Sequence, residues 1–275
     1  MTESTGGPVA DLHVHTTTSD GLLTYDEIPA LATDAGLRAV AVTDHDRLNP
    51  DFDAPVEVID GVTLIRGIEL KVELPSGDRI DLLGYGVRET PELCQLIDDL
   101  QANRRERGRA IIEKVESQLG IELGLQAHEG IGRPHIARAV ADHPEADLTY
   151  RGVFDELIGD DGPCFVARHI PSLEAGVDTL SAACPLVAVA HPLRYADVDV
   201  ALAVASDLGA VERWYPYDES VSFDRLDRTI REGNLVATGG SDAHEKQLGV
   251  AGPSADDYER FRTACGFEDQ CPPGL

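Results

Sequence analysis

The chain has 275 residues, which is enough for one large α/β domain or for a barrel with an inserted segment. Its 50 acidic and 23 basic residues give a formal net charge of -27. A field of that sign disfavours nonspecific binding to nucleic acid or to an anionic membrane surface, and no apolar run approaches the roughly 18 residues of a membrane span.

The excess of acidic residues indicates a cytoplasm rich in salt. Only Lys71, Lys114 and Lys246 are lysines, and the other basic residues are arginines. Self-repulsion strains a compact acidic fold, and salt near 1 M relieves the strain by shortening the screening length to roughly 3 Å. We therefore expect a cytoplasmic protein of a salt-in halophile, with an ordinary acidic protein as the alternative. Residues 1–7 lack the basic and then apolar character of a secretion signal.

The cysteines are odd in number, scattered, and free of any Cys-x-x-Cys pair. This pattern predicts reduced, structural thiols and neither a disulfide framework nor a zinc knuckle. The five are Cys94, Cys164, Cys184, Cys265 and Cys271.

The first predicted strand carries two histidines. Pro8-Val9-Ala10 leads into Asp11-Leu12-His13-Val14-His15, and side chains two residues apart lie on the same side of a strand. One strand end therefore presents two neighbouring metal-ligand nitrogens. Behind it, Thr24 and Glu27 have the spacing of a capping box, which predicts a helix that continues to about Ala35.

Further apolar segments then alternate with helices. Residues 39–43, 62–68 and 80–83 are predicted strands, and His45 and Glu69 follow the first two of them. Strands, helices and polar residues at strand ends are typical of an α/β barrel or a doubly wound sheet.

The alternation of strand and helix patterns stops between about Pro91 and Pro171. Few strand patterns occur there, and Arg104, Arg105, Arg107 and Arg109 fall in a long helical pattern that extends to Gly120. We predict a barrel formed by residues 1–92 and 172–275, with a helical insert, residues 93–171, as a substrate-binding cap. The alternative for the arginines is a solvated face paired with nearby glutamates.

Alternation resumes after the insert. Helices are predicted at 173–183, 201–208 and 219–231, and strands at 186–190, 210–212 and 235–238, whereas the tail after Gly252 is expected to be loose. His191 follows the first of these strands, and Gly239-Gly240-Ser241-Asp242-Ala243-His244 follows the last.

Metal-ligand residue types recur at these strand ends. A single such histidine usually forms an ordinary hydrogen bond, but eight residues at one barrel face indicate an active site. Imidazoles and carboxylates without thiolates favour Zn, Mn or Fe, and eight ligands exceed the needs of one ion. The eight are His13, His15, Asp20, His45, Glu69, His191, Asp242 and His244.

The ordered motifs Asp-x-His-x-His, Thr-Asp-His-Asp, Gly-x-Glu, His-Pro and Gly-Ser-Asp-x-His resemble the PHP family, named for polymerase and histidinol phosphatase. The resemblance spans residues 11 to 244. It implies a distorted seven-stranded (β/α) TIM-like barrel with a trinuclear site. In that site His13, His15, Glu69 and Asp242 would hold one ion. Glu69 would bridge to a second ion that His191 also binds, and Asp20, His45 and His244 would hold the third.

One position departs from the family pattern. Relatives often have a histidine in the strand after the bridging glutamate, and Asp81 stands there instead. A carboxylate can still bind a metal and would favour harder ions such as Mn or Mg. The expected cofactor is therefore two or three divalent ions.

A branch of the family has a similar helical insert and includes 3',5'-nucleoside bisphosphate phosphatases and oligoribonucleotide 5'-to-3' exonucleases. In this interpretation Arg133 and His135 bind a substrate phosphate from the insert, and Arg194 lies near the metals; a salt bridge at a helix start is the alternative for Arg133. His128 and His143 are assigned to the surface, and His169 is left between a rim contact and no role.

The function predicted by the resemblance is hydrolysis of a phosphate ester in a small nucleotide or short oligoribonucleotide, by a metal-bridging hydroxide. Asp242 is the candidate proton acceptor, and His191 or His244 would assist the leaving oxygen. Duplex nucleic acid is not an expected partner. The alternatives are a phosphatase of a metabolite such as histidinol phosphate, a non-catalytic metal-bound scaffold, and a C–N hydrolase, for which Lys71 is the only nearby candidate lysine.

Overall fold

The computed structural model describes residues 7–267. Contacts divide the chain into two compact units, one formed by the residues up to Leu93 together with those from Pro171 onward, and the other by Cys94–Ile170. The first unit contains one curled sheet. Its strands are β1 (Ala10–Val14), β2 (Ala39–Val42), β3 (Val56–Ile59), β4 (Val62–Glu73), β5 (Arg79–Tyr85), β6 (Leu186–Val189), β7 (Ala210–Trp214) and β8 (Val236–Gly239).

Seven strands follow one path in the order β1-β2-β4-β5-β6-β7-β8, and β3 pairs with the edge of β4 in antiparallel orientation. β5 is antiparallel to both of its neighbours, whereas the other pairs on the path are parallel. This reversal distorts the barrel. The segment after β8 returns to β1, where the His15 N–H donates to the Ala243 carbonyl at 3.0 Å. The predicted distorted (β/α)7 barrel is confirmed.

The helices occupy α1 (Ile28–Asp34), α2 (Pro91–Leu119), α3 (Arg133–Ala141), α4 (Tyr150–Val153), α5 (Leu173–Ala183), α6 (Val198–Leu208), α7 (Asp224–Gly233) and α8 (Ala255–Cys265). Short 3-10 turns at Tyr25–Glu27 and Pro192–Arg194, and a π-turn at Phe154–Ile158, complete the description. The predicted capping box is present, with Thr24 and Glu27 in their reciprocal contacts. Among residues 7–267, no helix combines the length and apolar character that crossing a bilayer requires.

The segment after Gly252 is not loose up to residue 267, contrary to expectation. It forms α8, in which Tyr258, Phe261 and Cys265 are buried in the same cluster as Leu12, Ile65 and the other barrel residues. Apolar burial of this size stabilises a helix that sequence periodicity alone left unassigned. The predicted loose residues Pro272-Pro273-Gly274 lie outside the described residues.

The second unit has its own core. Ile111 and Val115 of α2 pack with Ile136 and Val140 of α3 and with Ile158, all of them buried. The helical character predicted for the insert is therefore correct, and α2 already begins at Pro91. Its role as a substrate-binding cap stays a prediction.

Four cysteines of the described residues are free thiols, namely Cys94, Cys164, Cys184 and Cys265. Burial raises the pKa of Cys184 to about 12. Such a thiol is inert at neutral pH, in agreement with a structural role. Cys271 lies outside the described residues.

Candidate metal centre

Glu69 lies at the centre of a histidine cluster at one end of the barrel. It is inside β4 and not after a strand, as had been expected, because β4 continues to Glu73. Its Oε2 is 2.7 Å from His45 Nδ1 and 3.4 Å from His15 Nε2, and its Oε1 is 3.1 Å from His191 Nε2 and 3.5 Å from His13 Nε2. One carboxylate therefore faces four imidazoles from three segments of the barrel.

The first donor group, which we call the Asp20 group, comprises His15, Asp20, His45 and His244. Asp20 Oδ1 is 3.4 Å from His244 Nε2 and 3.8 Å from His45 Nε2. The loop that carries Asp20 is fixed by Asp44, which accepts bonds from the Thr16 hydroxyl at 2.7 Å and the Ser19 hydroxyl at 2.6 Å. Asp44 therefore acts as a buried anchor for a ligand loop.

The second donor group comprises His13, His15 and Asp242. Asp242 Oδ1 is 3.1 Å from His15 Nε2 and 3.5 Å from His13 Nε2. Both histidines are fully buried in β1 and the residue after it, and they share a face because they are two positions apart. His15 belongs to both groups, so two ions in these groups would be neighbours.

The third donor group, the Asp81 group, comprises Glu69, Asp81 and His191. His191 Nε2 is 3.9 Å from Asp81 Oδ2. A protein cation is already present in this group, because Lys71 Nζ lies 2.5 Å from Asp81 Oδ1 and 2.6 Å from Oδ2. Beside the second group, Arg194 Nη1 is 3.6 Å from Asp242 Oδ2.

Glu212 supports two of the predicted ligands from behind, and sequence reasoning missed it. This fully buried residue of β7 places Oε1 3.0 Å from His13 Nδ1 and accepts the His191 backbone N–H on Oε2 at 2.7 Å. Donation from Nδ1–H leaves Nε2 of His13 free for a metal, as carboxylate partners of metal-binding histidines commonly do. Glu212 ends a predicted apolar strand, so the rule that selected the other ligands could have found it.

The two later loops are held in unusual backbone conformations. His191 has φ 30° and Asp242 has φ 50°, in the left-handed region that non-glycine residues rarely adopt. Beside them, a Cβ on Gly240 would overlap the backbone nitrogen of His13. The glycine therefore permits the close approach that brings Asp242 next to the β1 histidines.

The donor atoms fit metal ions. His13 Nε2 and His15 Nε2 are buried without a well-directed hydrogen bond and face carboxylate oxygens, an arrangement that a shared cation would satisfy. Burial opposes the ionisation of Glu69, but His45 and His13 outweigh it and hold the pKa of its carboxyl well below the usual range. Burial likewise opposes the ionisation of Asp20, and His45 with His244 nevertheless lowers its pKa. Ionised carboxylates and imidazoles suit Zn, Mn or Fe.

Arg194 lies at the rim of this centre. Its exposed guanidinium donates to the Tyr215 hydroxyl at 2.8 Å, and that hydroxyl donates to Asp242 Oδ2 at 3.0 Å. The arginine is thus connected to a predicted metal ligand through one tyrosine. Tyr195 stands at the opposite side, where its hydroxyl accepts the Asp81 backbone N–H at 2.8 Å.

The other predicted substrate-binding residues belong to the Cys94–Ile170 unit. Arg133 donates to the Ile158 carbonyl at 3.2 Å and to Asp160 at 2.7 Å, and His135 Nδ1 accepts the Gly132 N–H at 3.1 Å. The alternative of a salt bridge at a helix start is therefore present for Arg133, although a role in binding phosphate stays a prediction. The His169 backbone N–H donates to Asn103 at 2.9 Å.

This geometry defines a class: an α/β barrel protein with a cluster of histidines and carboxylates at one end of the barrel that could hold metal ions. A family profile described as "PHP domain" matches residues 11–160, which is more than half of the chain. The chain therefore belongs to the PHP domain family, as the sequence motifs predicted.

Named relatives match over most of their length. A phosphoribosyl 1,2-cyclic phosphate 1,2-diphosphodiesterase of Eggerthella lenta is 29% identical over 252 residues, covering 86% of this chain and 95% of the relative. A 5'-3' exoribonuclease of Haemophilus influenzae is 28% identical, with 67% and 69% covered. A 3',5'-nucleoside bisphosphate phosphatase of Chromobacterium violaceum is also 28% identical, with 67% of each covered.

Two solved structures have the same fold. A Bifidobacterium adolescentis protein, described by inference as a metal-dependent phosphoesterase, aligns with a TM-score of 0.78 at 22% identity and covers 94% of this chain and 98% of its own. An amidohydrolase from Chromobacterium violaceum with bound sulfate aligns with a TM-score of 0.73 at 23% identity, covering 93% and 96%.

Proposed function

We propose that the protein is a metal-dependent phosphoesterase that hydrolyses a phosphate ester of a 3',5'-bisphosphonucleoside or of a short oligoribonucleotide. The observation that carries the proposal is the convergence of two complete donor groups on Glu69, with Arg194 at their rim. The phosphatase and exoribonuclease activities in the names of the relatives from Chromobacterium violaceum and Haemophilus influenzae support this substrate class.

When bound, neighbouring divalent ions acidify a water molecule and neutralise phosphate oxygens. The residues proposed to hold them are His13, His15, Asp20, His45, Glu69, His191, Asp242 and His244, with Asp81 considered separately below. Manganese, zinc or iron suits the donor set, and magnesium suits the carboxylate-rich side.

Proton transfer is assigned to residues with different access. Asp242, with a side chain only 13% exposed, is proposed to accept a proton from the attacking water. His244 is 32% exposed and His191 is 6% exposed. The substrate enters from solvent and carries the leaving-group oxygen with it. His244 is therefore the more accessible proton donor, and His191 is the more buried alternative.

Arg194 is proposed to bind a phosphate oxygen. Its guanidinium is 53% exposed and its contact with Asp242 is long at 3.6 Å, so donors remain for a ligand. Planar guanidinium groups match phosphate oxygens in pairs. Tyr215 fixes the direction of the arginine by a hydrogen bond and lies beneath it, with the guanidinium carbon 5.5 Å from the ring centre.

The insert is proposed to bind further negative charge of the substrate through Arg133 and His135. Residues 94–170 contain nine of the 23 basic residues. Burial, together with the charges of Arg133, Arg168 and Arg104, lowers the pKa of Arg107 to about 10. A multiply charged anion would gain more from several guanidinium groups than a singly charged metabolite would.

A cyclic phosphodiester of a phosphorylated sugar is the second candidate substrate. It is favoured by the relative from Eggerthella lenta, since the alignment covers 95% of that protein and 86% of this chain. Both candidates share one chemistry, which is a phosphate ester at the metals with additional phosphate charge nearby.

We propose a cytoplasmic location in a halophile, on the basis of the net charge of -27 and the scarcity of lysine. The ions of such a cytoplasm would screen the repulsion between surface carboxylates.

A substrate screen tests the proposal. Mn²⁺-reconstituted protein in molar KCl would be assayed for phosphate release from 3',5'-bisphosphoadenosine, from a 5'-phosphorylated trinucleotide, from a ribose cyclic phosphate and from histidinol phosphate. We expect turnover of at least one of the first three, and none after chelation or in Glu69→Gln. Release only from histidinol phosphate would contradict the substrate class. No release from any of them, with metal bound, would favour the non-catalytic scaffold.

A further inference from the structure

The structure places a lysine where the third donor group would hold an ion. Lys71 and Asp81 are direct partners in the antiparallel ladder between β4 and β5. Lys71 is also two residues after Glu69 on β4, so the two side chains project from the same face of the strand. The lysine therefore reaches the metal end of the barrel as a consequence of strand register.

The contact between Lys71 and Asp81 uses both carboxylate oxygens. The ammonium nitrogen is 2.5 Å from Oδ1 and 2.6 Å from Oδ2. The Asp81 side chain is 6% exposed, while Lys71 is 31% exposed and so reaches solvent on its other side. Asp81 is held further by Tyr195, whose hydroxyl lies 3.5 Å from Oδ2. The pair is a fixed part of the centre.

An ion in this group would compete with the lysine. A metal ion that used Asp81 as a ligand would have to displace the Lys71 ammonium from the carboxylate. If the ammonium stayed beside the divalent ion, the two positive charges would repel each other. The Asp20 group has a different composition, with three imidazoles and one carboxylate. A histidine at position 81 would leave Lys71 without this partner, so the aspartate and the lysine are best explained together.

We propose that the Lys71 ammonium replaces the third metal ion, so that the centre holds two ions and one protein cation that binds a phosphate oxygen of the substrate. An ammonium group has three donors. One of them bonds to Asp81 Oδ2, and on the exposed side of the lysine a donor is available to a ligand. A charge-assisted bond to phosphate there would supply the neutralisation that a third ion would otherwise provide. The inference rests on the proposed phosphoesterase function and assigns Asp81 to positioning Lys71 and not to binding metal.

The first test counts ions without reference to activity. Purified protein in molar KCl would be dialysed against excess Mn²⁺, and bound manganese would be measured by mass spectrometry for the wild type, Lys71→Met and the double variant Lys71→Ser/Asp81→His. We expect two ions per chain in the wild type and three in the double variant. Lys114→Met is the matched control, since Lys114 donates to the Phe165 carbonyl and should leave the count at two. Three ions in the wild type would overturn the inference.

The second test measures binding of inorganic phosphate by calorimetry to protein with its two ions. Loss of one charge-assisted bond should weaken phosphate about tenfold or more in Lys71→Met. Lys71→Arg keeps the charge and should retain most of the affinity for phosphate. This variant also allows the role of the charge to be tested if Lys71→Met does not fold. Unchanged phosphate affinity in a folded Lys71→Met would overturn the proposed role of the lysine. That result would leave the phosphoesterase function intact, whereas absence of hydrolysis by the wild type would remove the function itself.

Discussion

The Asp20 group and the Asp81 group share Glu69 as a neighbour but differ in composition. In the Asp20 group three imidazoles surround one carboxylate, and His45 and His244 approach Asp20 from different loops. In the Asp81 group two carboxylates accompany one imidazole, and Lys71 contacts one of the carboxylates through both oxygens. The cationic partner of Asp81 is a lysine of the neighbouring strand, whereas Asp20 has imidazoles as its neighbours within the group. Two carboxylates at the same end of the barrel, Asp20 and Asp81, therefore have different neighbours.

Strand direction is the origin of this difference. The strands that are parallel to a neighbour are followed at their carboxyl ends by His15, His45, His191 and Asp242, where several candidate ligands can converge. β5 is antiparallel, so it delivers Asp81 near its amino end, directly opposite Lys71 of β4. Cross-strand pairs of opposite charge at this spacing interact directly. The hairpin is therefore the part of the barrel where a salt bridge can substitute for an ion.

The largest effect is expected from removing the charge of Glu69, which contacts a histidine of each group. Glu69→Gln keeps the volume of the side chain but removes the charge that faces four imidazoles. We expect loss of bound metal and a fall in kcat/KM of at least ~10³-fold, since ions contribute several kcal/mol to the stabilisation of phosphoryl-transfer charge. Phosphate release and metal analysis measure this, with circular dichroism to verify folding. A variant that retains both metal and activity would refute the central position of Glu69.

The two groups should respond differently to the same substitution. Asp20→Asn removes the only carboxylate of the first group and should lower the manganese count by one. Asp81→Asn should leave the count unchanged and weaken binding of phosphate, because Lys71 loses its anchor. Equilibrium dialysis with mass spectrometry gives the counts. If Asp81→Asn loses an ion and Asp20→Asn does not, the comparison between the groups is reversed.

A smaller loss of metal affinity is expected from changing Glu212, which contacts His13 and the backbone of His191. Glu212→Gln has one carbonyl oxygen in place of two carboxylate oxygens, so it cannot accept from both His13 and the His191 backbone. We expect metal affinity to fall 10 to 100-fold, as is typical of such supporting carboxylates. Nitrogen NMR of the histidine rings would report the changed tautomer of His13 without any metal.

The control for Glu212→Gln is Glu57→Gln. Glu57 of β3 accepts hydrogen bonds from the Tyr25 hydroxyl at 2.7 Å and from the backbone N–H groups of Asp53 and Ala54. None of these partners is a candidate metal ligand. Its substitution should change stability but leave metal affinity unaltered. Equal losses of metal affinity in both variants would show that Glu212 acts only through the stability of the fold.

Salt should affect the surface more than either donor group. Surface repulsion from the net charge of -27 is screened over short distances in molar KCl, so the free energy of unfolding should rise from dilute to molar KCl. Ligands such as His13 and His15 are fully buried, so the difference in ion count between Asp20→Asn and Asp81→Asn should persist. Denaturant unfolding at a series of KCl concentrations measures the first effect. Constant or falling stability would contradict the assignment to a halophile.

Much of the barrel could be predicted because local patterns and tertiary structure agree there. The helix Leu173–Ala183 has the predicted bounds, and residues 39–43 and 186–190 contain strands that end one residue earlier than predicted. α8 was missed because its stability comes from burial of Tyr258 and Phe261 in the barrel core, which no local pattern reports. β3 was missed because its four half-exposed residues gain order only by pairing with β4.

The ligands were selected by type and position, and the structure brings all nine of them into three donor groups. Sequence could not give the pairing of Lys71 with Asp81, because it depends on the register of a hairpin. It also could not show that Glu212 contacts two ligands, since His13 and His191 are remote from it along the chain. The motifs identify the residue types, but they do not determine which residues of distant strands become neighbours.

The most direct test of the whole account is a crystal structure of the Mn²⁺-loaded protein with inorganic phosphate, with data collected at the manganese absorption edge. We predict two anomalous peaks, one in the Asp20 group and one between His13, His15 and Asp242, with phosphate bound to both and to Lys71 Nζ. A peak coordinated by Asp81, with Lys71 turned away, would contradict the replacement of the third ion. Absence of peaks at the first two positions would contradict the metal centre itself.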